Sequence, residues 1–321
     1  MKIFIEISWV ILMIGNGSLT ILVTGAGGPA GISTILLLKD YYRVVSTDIS
    51  SYSEGFAFSH KYYIVSPANE EESFINDLKE IVEREGIDLI IPTVDEEIEV
   101  LSGKTDLFKA KLIMHPKETV EICLNKYKTY EYFKNKIPDI VPEFSKNPRD
   151  ISSEIVVKKP IRSRGSRNIL VGNRVDFEED EGFFFVEFLP GREWTVDVLT
   201  GRGGEELIIV PRIRLKIRGG VSVVGEIRLD ENIVNYSREI IKKLRFEGPL
   251  NIQFKEDSKG FPKLQEINVR FSGGLLITAA SGVNLPKILV EYWIDNRKPE
   301  GYSIEEGVYV IVPQSCRLKY L

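Results

Sequence analysis

The densest group of residues able to do chemistry is QEINVR, Gln265–Arg270. Side chains alternate along a strand, so Glu266, Asn268 and Arg270 would project from one face at steps of about 6–7 Å. In the run PLNIQF the same alternation sets Gln253 opposite Ile252 and Phe254, and EDSKGFP reads as a hairpin connection. Gln253 would then join Glu266 and Asn268. Carboxylate and amide oxygens are ligands that Mg²⁺ accepts while it is also held by nucleotide phosphates, and a guanidinium beside them would steady charge on a transferring phosphoryl group. The plain alternative is an exposed polar face. Asn is depleted in strands, which favours the functional reading.

Two further segments suit a nucleotide. VVKKP sets Val157 and Lys159 on one strand face and Lys158 on the other, and leads into IRSRGSRN, a loop holding Arg162, Arg164, Gly165, Ser166 and Arg167. A strand-borne Lys beside a basic glycine loop is equipment for phosphates, although an ordinary charged hairpin explains the same residues. FFFVEFLPGREWTVDV combines an apolar strand, Glu187, a Pro-Gly turn and Glu193. Backbone groups from Glu187 through Phe188 to Leu189 could read an adenine edge while Glu193 accepts ribose hydroxyls, with a simple hairpin as the alternative. VPRIRLKIRGG adds Arg212, Arg214 and Arg218, which could bind a carboxylate or form a solvated strand face.

A glycine loop, TGAGGPAG at Thr24–Gly31, leaves one apolar run and opens a helical one. Glycines allow close backbone approach, and a helix N-terminus offers unpaired N–H groups to a phosphate or carboxylate. Asp48 ends the next strand about twenty residues on, where a dinucleotide-binding fold places a ribose-binding acid. The alternative is that the glycines only tighten strand–helix packing.

These residues need elements to carry them. From Leu19 to about His115 apolar runs alternate with helical periods, the β-α-β pattern of a small doubly wound sheet. The loops at the carboxyl ends of its strands carry Gly25–Gly31, Asp48 and Thr93–Glu97, where such sheets bind ligands. Pro116–Lys136 reads as helical, and the prolines of IPDIVPEFSKNP break it. The texture then changes to α+β. EIVVKKP, NILVG, FFFVEFL, TVDVL, LIIV and IRLKI read as short strands, with helices at Ile233–Leu244 and around Leu285–Trp293.

Composition narrows the class. A length of 321 residues suits two or three packed units. The net charge of −5 offers no global attraction for nucleic acid or an anionic membrane. Cys123 and Cys316 are the only cysteines, which excludes a disulfide framework and suits a reducing, cytoplasmic compartment. Two histidines, His60 and His115, leave little room for a His-metal cluster. Ile3–Ile14 is nearly all apolar behind Lys2, yet it is too short to span a bilayer and carries Glu6. An over-called start, with Met13 as the true initiator, is favoured over secretion.

Taken in order, TGAGGPAG with IIPTVDEE, NKYKTYEYF, VVKKP with RSRGS, VEFLPGREWTVDV, and LNIQF with LQEINVRFSGG resemble the ATP-grasp superfamily. The closest resemblance is to stand-alone proteins similar to half of the carbamoyl-phosphate synthase large subunit. It covers Leu19 to about Trp293, and the last segment is the most specific. It implies a mixed α/β and α+β chain: an apolar extension at 1–18, a Rossmann-like pre-ATP-grasp domain at 19–115, then a two-lobed ATP-grasp domain. Linker helices and the small lobe would occupy 116–190, the large lobe 191–295 and a C-terminal tail 296–321.

The resemblance further implies ATP and Mg²⁺ as cofactors, with Mn²⁺ an accepted substitute. Lys126 and Lys159 would bind phosphates, and the 162–167 loop, with Arg164, Gly165 and Ser166, would close over them. Glu187, Phe188 and Leu189 would contact adenine and Glu193 the ribose. Gln253, Glu266 and Asn268 match metal-binding positions, and Arg270, with Asn268, would face an acyl phosphate formed when a carboxylate attacks the γ-phosphate. An amine or another nucleophile would capture it. The N-terminal glycine loop would then serve the substrate side. Partners would be the small-molecule carboxylate and nucleophile, with a homodimer allowed and no nucleic acid or membrane. With Gln253 in place of a second acid, the metal site carries one charge fewer. Neither a second synthetase half nor an amidotransferase-like segment is present, so carbamoyl phosphate is not the expected product.

Two rivals remain at this stage. Thr24, Gly25, Gly28 and Gly31 fit TGxxGxxG, and Tyr130 with Lys134 fits YxxxK, the pattern of an NAD(P)-dependent short-chain dehydrogenase or epimerase. Against that stands the β-rich half after Glu154. The other rival is a nucleotide-binding regulator without catalysis, against which Lys159, Glu266, Asn268 and Arg270 argue.

Overall fold

The computed structural model describes residues 19–162 and 168–312. The chain begins with β1 (Thr20–Thr24), α1 (Pro29–Leu38), β2 (Arg43–Asp48), β3 (Lys61–Ile64), α2 (Glu71–Glu85), β4 (Leu89–Ile91), α3 (Asp95–Leu101) and β5 (Lys111–Leu112). The five strands form one parallel sheet in the order β3-β2-β1-β4-β5. Central β1, TILVT, is buried throughout, as expected where helices and neighbouring domains cover both faces. The strand order reverses at β1, so its carboxyl end, with the glycine loop, lies at the switch point where open sheets form crevices.

The helical stretch read at 116–136 is two helices, α4 (Lys117–Cys123) and α5 (Lys126–Lys134). Asn125 breaks them: its side-chain oxygen accepts the Lys128 N–H (2.9 Å) and restarts the helix. This capping sets Lys126 on the first turn of α5. There follow β6 (Phe144–Ser145), β7 (Ile155–Pro160), β8 (Leu170–Asn173) and β9 (Phe183–Glu187), an antiparallel sheet in the order β6-β9-β7-β8.

The remainder is β10 (Glu193–Thr200), β11 (Glu206–Arg218), β12 (Val221–Ile227), α6 (Glu231–Lys243), β13 (Gly248–Glu256), β14 (Pro262–Asn268), α7 (Leu275–Ala280), α8 (Leu285–Asp295) and β15 (Gly307–Val310). Its six strands run β14-β13-β10-β11-β12-β15, all antiparallel. Two expectations are corrected. LIIV and IRLKI are one strand, β11, running through Pro211. The Pro211 carbonyl accepts from Arg228 (3.3 Å), just past the end of β12, so the missing N–H faces a side with no ladder left to pair. And part of the expected tail, β15, completes the sheet beside β12.

The architecture is thus the α/β unit followed by α+β lobes that the patterning implied. One apolar core joins Ile21 and Val23 of β1 and Ile35 of α1 to Leu199, Phe271, Leu285 and Trp293, so the N-terminal unit is packed onto the large sheet. Among the described residues, no helix is long and apolar enough to cross a membrane. The apolar run at 3–14, Met13, Cys316 and the loop residues Arg164, Gly165, Ser166 and Arg167 lie outside the described residues.

Candidate active site

The register of the large sheet assembles the polar residues. Glu266 stands opposite Gln253, Gln253 opposite Thr195 and Thr195 opposite Arg212, while Asn268, Asn251 and Asp197 form the adjacent row. Residues opposite one another in a ladder share a face, so these rows make one polar surface. Val196, Ile252 and Ile267 fill the other face as core. The period-two reading of Glu266, Asn268 and Gln253 therefore brings them together as expected, and Arg270 follows just beyond the end of β14.

A bulge between Gln253 and Phe254 leaves Gln265 out of the ladder. Its side-chain oxygen accepts from Lys159 Nζ (2.8 Å), and its carbonyl from the Tyr130 hydroxyl (3.0 Å). The bulge thereby ties β7 and α5 to β14. No periodicity argument predicts this contact, because a bulge is an interruption of period.

Charge around Glu266 is balanced closely. Lys126 Nζ lies 3.3 Å from its carboxylate, and the Asn268 amide donates to it (3.2 Å). Burial pushes the Glu266 carboxyl up, but Lys126, Asn268 and Lys159 together outweigh it and hold the acid below the usual carboxylate range. Burial pushes Lys159 down to about 8, with Glu266 opposing and Lys126 and Lys255 reinforcing the shift. Arg270 is held by a residue of the first domain: its Nε donates to Asp95 Oδ1 (2.7 Å), its Nη1 to the Phe271 carbonyl (3.1 Å) and its Nη2 to Asn268 Oδ1 (3.4 Å). Burial disfavours its charge, yet Asp95 more than offsets that and keeps the guanidinium protonated.

Two cavities meet at these residues. A small one of about 200 Å³ is lined by Lys126, Lys159, Glu187, Phe188, Leu189 and Glu193, with apolar walls from Val157, Ile169, Val171 and Val186. A large cleft of about 910 Å³ lies between the glycine loop and the polar face of the large sheet, reaching Asn268, Arg270, Arg212 and Arg214. Gln253 and Glu266 line both. A ligand filling the small cavity and one in the cleft would meet at that pair.

The expected nucleotide contacts are modified by their bonding. The Phe188 N–H donates to the Ile155 carbonyl (3.1 Å) and so is not available to a base in the small cavity. Glu187 accepts from the Glu143 amide (2.8 Å). Glu193 is paired with Arg214, which also reaches Gln253 Oε1 (3.5 Å). As metal donors, Glu266 is the one carboxylate, with amide oxygens on Asn268 and Gln253. Among the described residues no group of three or more His, Cys, Asp or Glu could hold a metal alone. The donor set therefore fits Mg²⁺ that arrives already bound to phosphates, and does not fit a free-standing ion.

The glycine loop divides its work. A Cβ on Gly25 would meet Val94 Cγ2 at 2.2 Å, and one on Gly31 would meet the Gly25 carbonyl at 2.1 Å, so these two glycines serve packing. Gly27 and Gly28, together with Gly25, line the cleft. Asp48 accepts the Gly27 N–H (2.7 Å) and the Ser50 N–H (3.0 Å). The acid read as a ribose ligand is thus spent on shaping the loop. The dehydrogenase pattern also dissolves: Tyr130 is 0% exposed with its hydroxyl on Gln265, and Lys134 Nζ lies over the Phe144 ring (5.5 Å). Neither faces a nucleotide at the glycine loop.

Comparison with known proteins agrees with the fold. A family profile described as ATP-grasp in the biosynthetic pathway with Ter operon matches residues 179–314, and one described as PylC-like, N-terminal domain, matches 21–115. No curated protein matches the sequence. Among solved structures, N5-carboxyaminoimidazole synthetase from Staphylococcus aureus superposes with a TM-score of 0.69 at 14% identity, over 91% of this chain and 81% of that one. L-amino acid ligase from Bacillus licheniformis gives 0.66 at 16%, over 85% and 73%. The biotin carboxylase domain of the Hydrogenobacter thermophilus 2-oxoglutarate carboxylase, solved with MgADP, ADP and bicarbonate, gives 0.69 at 14%, over 91% and 74%. At such identities the likeness is one of fold.

Proposed function

We propose that this chain, an ATP-grasp protein with a PylC-like N-terminal domain, is a Mg-ATP-dependent ligase that activates a small carboxylate as an acyl phosphate. The observation that carries the reading is the sharing of Gln253 and Glu266 by the two cavities. The small cavity suits adenosine, with its apolar walls around the base and Lys126 and Lys159 toward the phosphates. The cleft suits the carboxylate.

In this reading a carboxylate oxygen attacks the γ-phosphorus, the bond to the β–γ bridging oxygen breaks, and ADP leaves with that electron pair. An amine or another nucleophile then adds to the acyl carbon, and inorganic phosphate departs. Such transfers depend on positioning and charge neutralisation more than on proton shuttling, which agrees with a site built without histidine. Glu266 and Asn268, flanked by Gln253, would hold Mg²⁺, which when bound neutralises the phosphate oxygens. Arg270, oriented by Asp95, would face the transferring group and the acyl phosphate. Lys126 and Lys159 would neutralise the nucleotide phosphates. The segment 162–167, which comes soon after β7 in sequence, would supply a loop to cover the phosphates.

The test is ADP release from Mg-ATP over a panel of carboxylates paired with amines, alongside thermal unfolding with Mg-ADP, NADH or NADPH. Wild type should release ADP with at least one pair, and Glu266→Gln, which keeps the volume and removes the charge, should lower that rate at least 100-fold without loss of fold. Stabilisation by nicotinamide nucleotides alone, or an unchanged rate in Glu266→Gln, refutes the assignment. Mg-ADP binding with no turnover over the panel favours the regulator reading.

A further inference from the structure

The proposed ligation uses the β14 end of the cleft and leaves its far end without a role. There Arg212, on β11, is 1% exposed. Its Nε donates to Asp197 Oδ2 (3.1 Å) and its Nη2 to Ser272 Oγ (2.9 Å), but its Nη1 has no hydrogen-bond partner among the described residues. Neighbouring Arg214 contrasts with it, being bonded to Glu193, Gln253 and the Gly220 carbonyl. A buried charged donor is costly to leave unmatched, and such groups mark places where something binds.

The surroundings fix this donor rather than let it swing. Asp197 also accepts from Thr278 Oγ1 (2.5 Å) and Asn251 Nδ2 (3.0 Å), so the acid that orients Arg212 is itself held by several donors. On the opposite wall of the same cleft, Gly28, Pro29 and Ala30 open helix α1. That helix has no side-chain cap and no acidic residue in its first turn. Pro29 has no N–H and the Gly28 N–H donates to the Gly25 carbonyl (3.0 Å), so the donors at the positive end of the helix dipole are the amides of Ala30 and Gly31. The Gly273–Gly274 dipeptide stands between the two. A Cβ on Gly273 would lie 2.9 Å from Pro29 Cβ, and one on Gly274 would lie 2.9 Å from both Arg212 Nη1 and Nη2. Two glycines therefore let the chain pack against both the helix start and the guanidinium, which line the same cleft.

We propose that Arg212 and the N-terminus of α1 form a second oxyanion pocket, which holds an anionic group of the substrate other than the carboxylate being activated. This rests on the ligase reading, which sets the reacting carboxylate beside Arg270 and Glu266. The substrate class is then a carboxylic acid bearing a further carboxylate or phosphate. Thr195 and Gln253 separate Arg212 from Glu266 in the ladder, three strand spacings or about 14 Å main chain to main chain, so the two anionic groups would sit at different places along the cleft.

Calorimetric titration of the full chain in the presence of Mg-ADP tests this with acetate, glutarate and inorganic phosphate as probes. Arg212→Lys is the direct variant, but it strips a donor from buried Asp197 and can cost the fold. Gly274→Ala is the second: Gly274 has φ −95° and ψ 16°, which alanine adopts, and the methyl displaces the guanidinium without touching its charge. Glutarate or phosphate should bind wild type saturably and more tightly than acetate, and Gly274→Ala should weaken that binding at least tenfold. The tighter of the two probes tells whether the second group is a carboxylate or a phosphate. No saturable binding of either, or an affinity within twofold of wild type in Gly274→Ala, overturns the pocket. Mg-ADP affinity in the same samples reports on the nucleotide site alone, so its loss counts against the ligase reading and not against Arg212.

Discussion

Lys159 should make nucleotide affinity depend on pH. It is 7% exposed, and burial, more than the charges of Lys126 and Lys255, takes it from 10.5 down to about 8 against the pull of Glu266. That shift corresponds to about 3 kcal/mol between its two protonation states. Phosphates in the small cavity would favour the ammonium and raise the value again. The free protein carries the charge below about 8 and loses it above, so binding at higher pH must take up a proton. If the bound lysine stays protonated, affinity for Mg-ADP falls about tenfold between pH 7 and pH 9. Titration calorimetry in two buffers of different ionisation enthalpy should show close to one proton taken up at pH 9 and almost none at pH 7. Lys159→Arg, which keeps its charge throughout, should flatten the profile. Equal affinity at both pH values in wild type, or the same loss in Lys159→Arg, would refute the assignment of Lys159 to the phosphates.

Two further predictions concern the frame that holds the site. His115 accepts the Glu247 N–H at Nδ1 (2.9 Å) and donates from Nε2 to the Pro249 carbonyl (2.9 Å), which makes it neutral, and burial pushes it down to about 4. Its folded value lies below the unfolded 6.5, so its contribution is complete above about 6.5 and is lost as pH falls toward 4, by up to about 3 kcal/mol; urea unfolding of wild type against His115→Gln across that window should show the difference in slope. Gly31→Ala should destabilise by about 3 kcal/mol in the same assay, because the new methyl would stand 2.1 Å from the Gly25 carbonyl, a backbone atom that cannot rotate away.

Much of the candidate site is written in local pattern. Strand alternation alone puts Glu266 and Asn268 on one face, and a short polar connection with Gly260 folds β13 against β14 so that Gln253 joins them. The same reasoning finds the glycine loop at the end of an apolar strand, because both features need only a few consecutive residues. Other elements escaped for definable reasons. Pro211 looks like a break until it is seen that β12 ends beside it, and the split between α4 and α5 depends on one capping Asn.

What only the tertiary structure decided are the partnerships between distant residues. Arg270 is oriented by Asp95, 175 positions away, and Lys159 meets Gln265 through a bulge that no period predicts. Arg212 read in sequence as one of three equivalent arginines; the sheet register and the Gly273–Gly274 approach single it out, buried and with a donor unmatched. Asp48 had the spacing of a ribose ligand, and the fold spends it on the Gly27 amide. Periodicity reports which face a side chain takes, a property of its own strand or helix. Which charges stand opposite that face depends on how separate sheets pack, and that is determined by the burial of cores drawn from the whole chain.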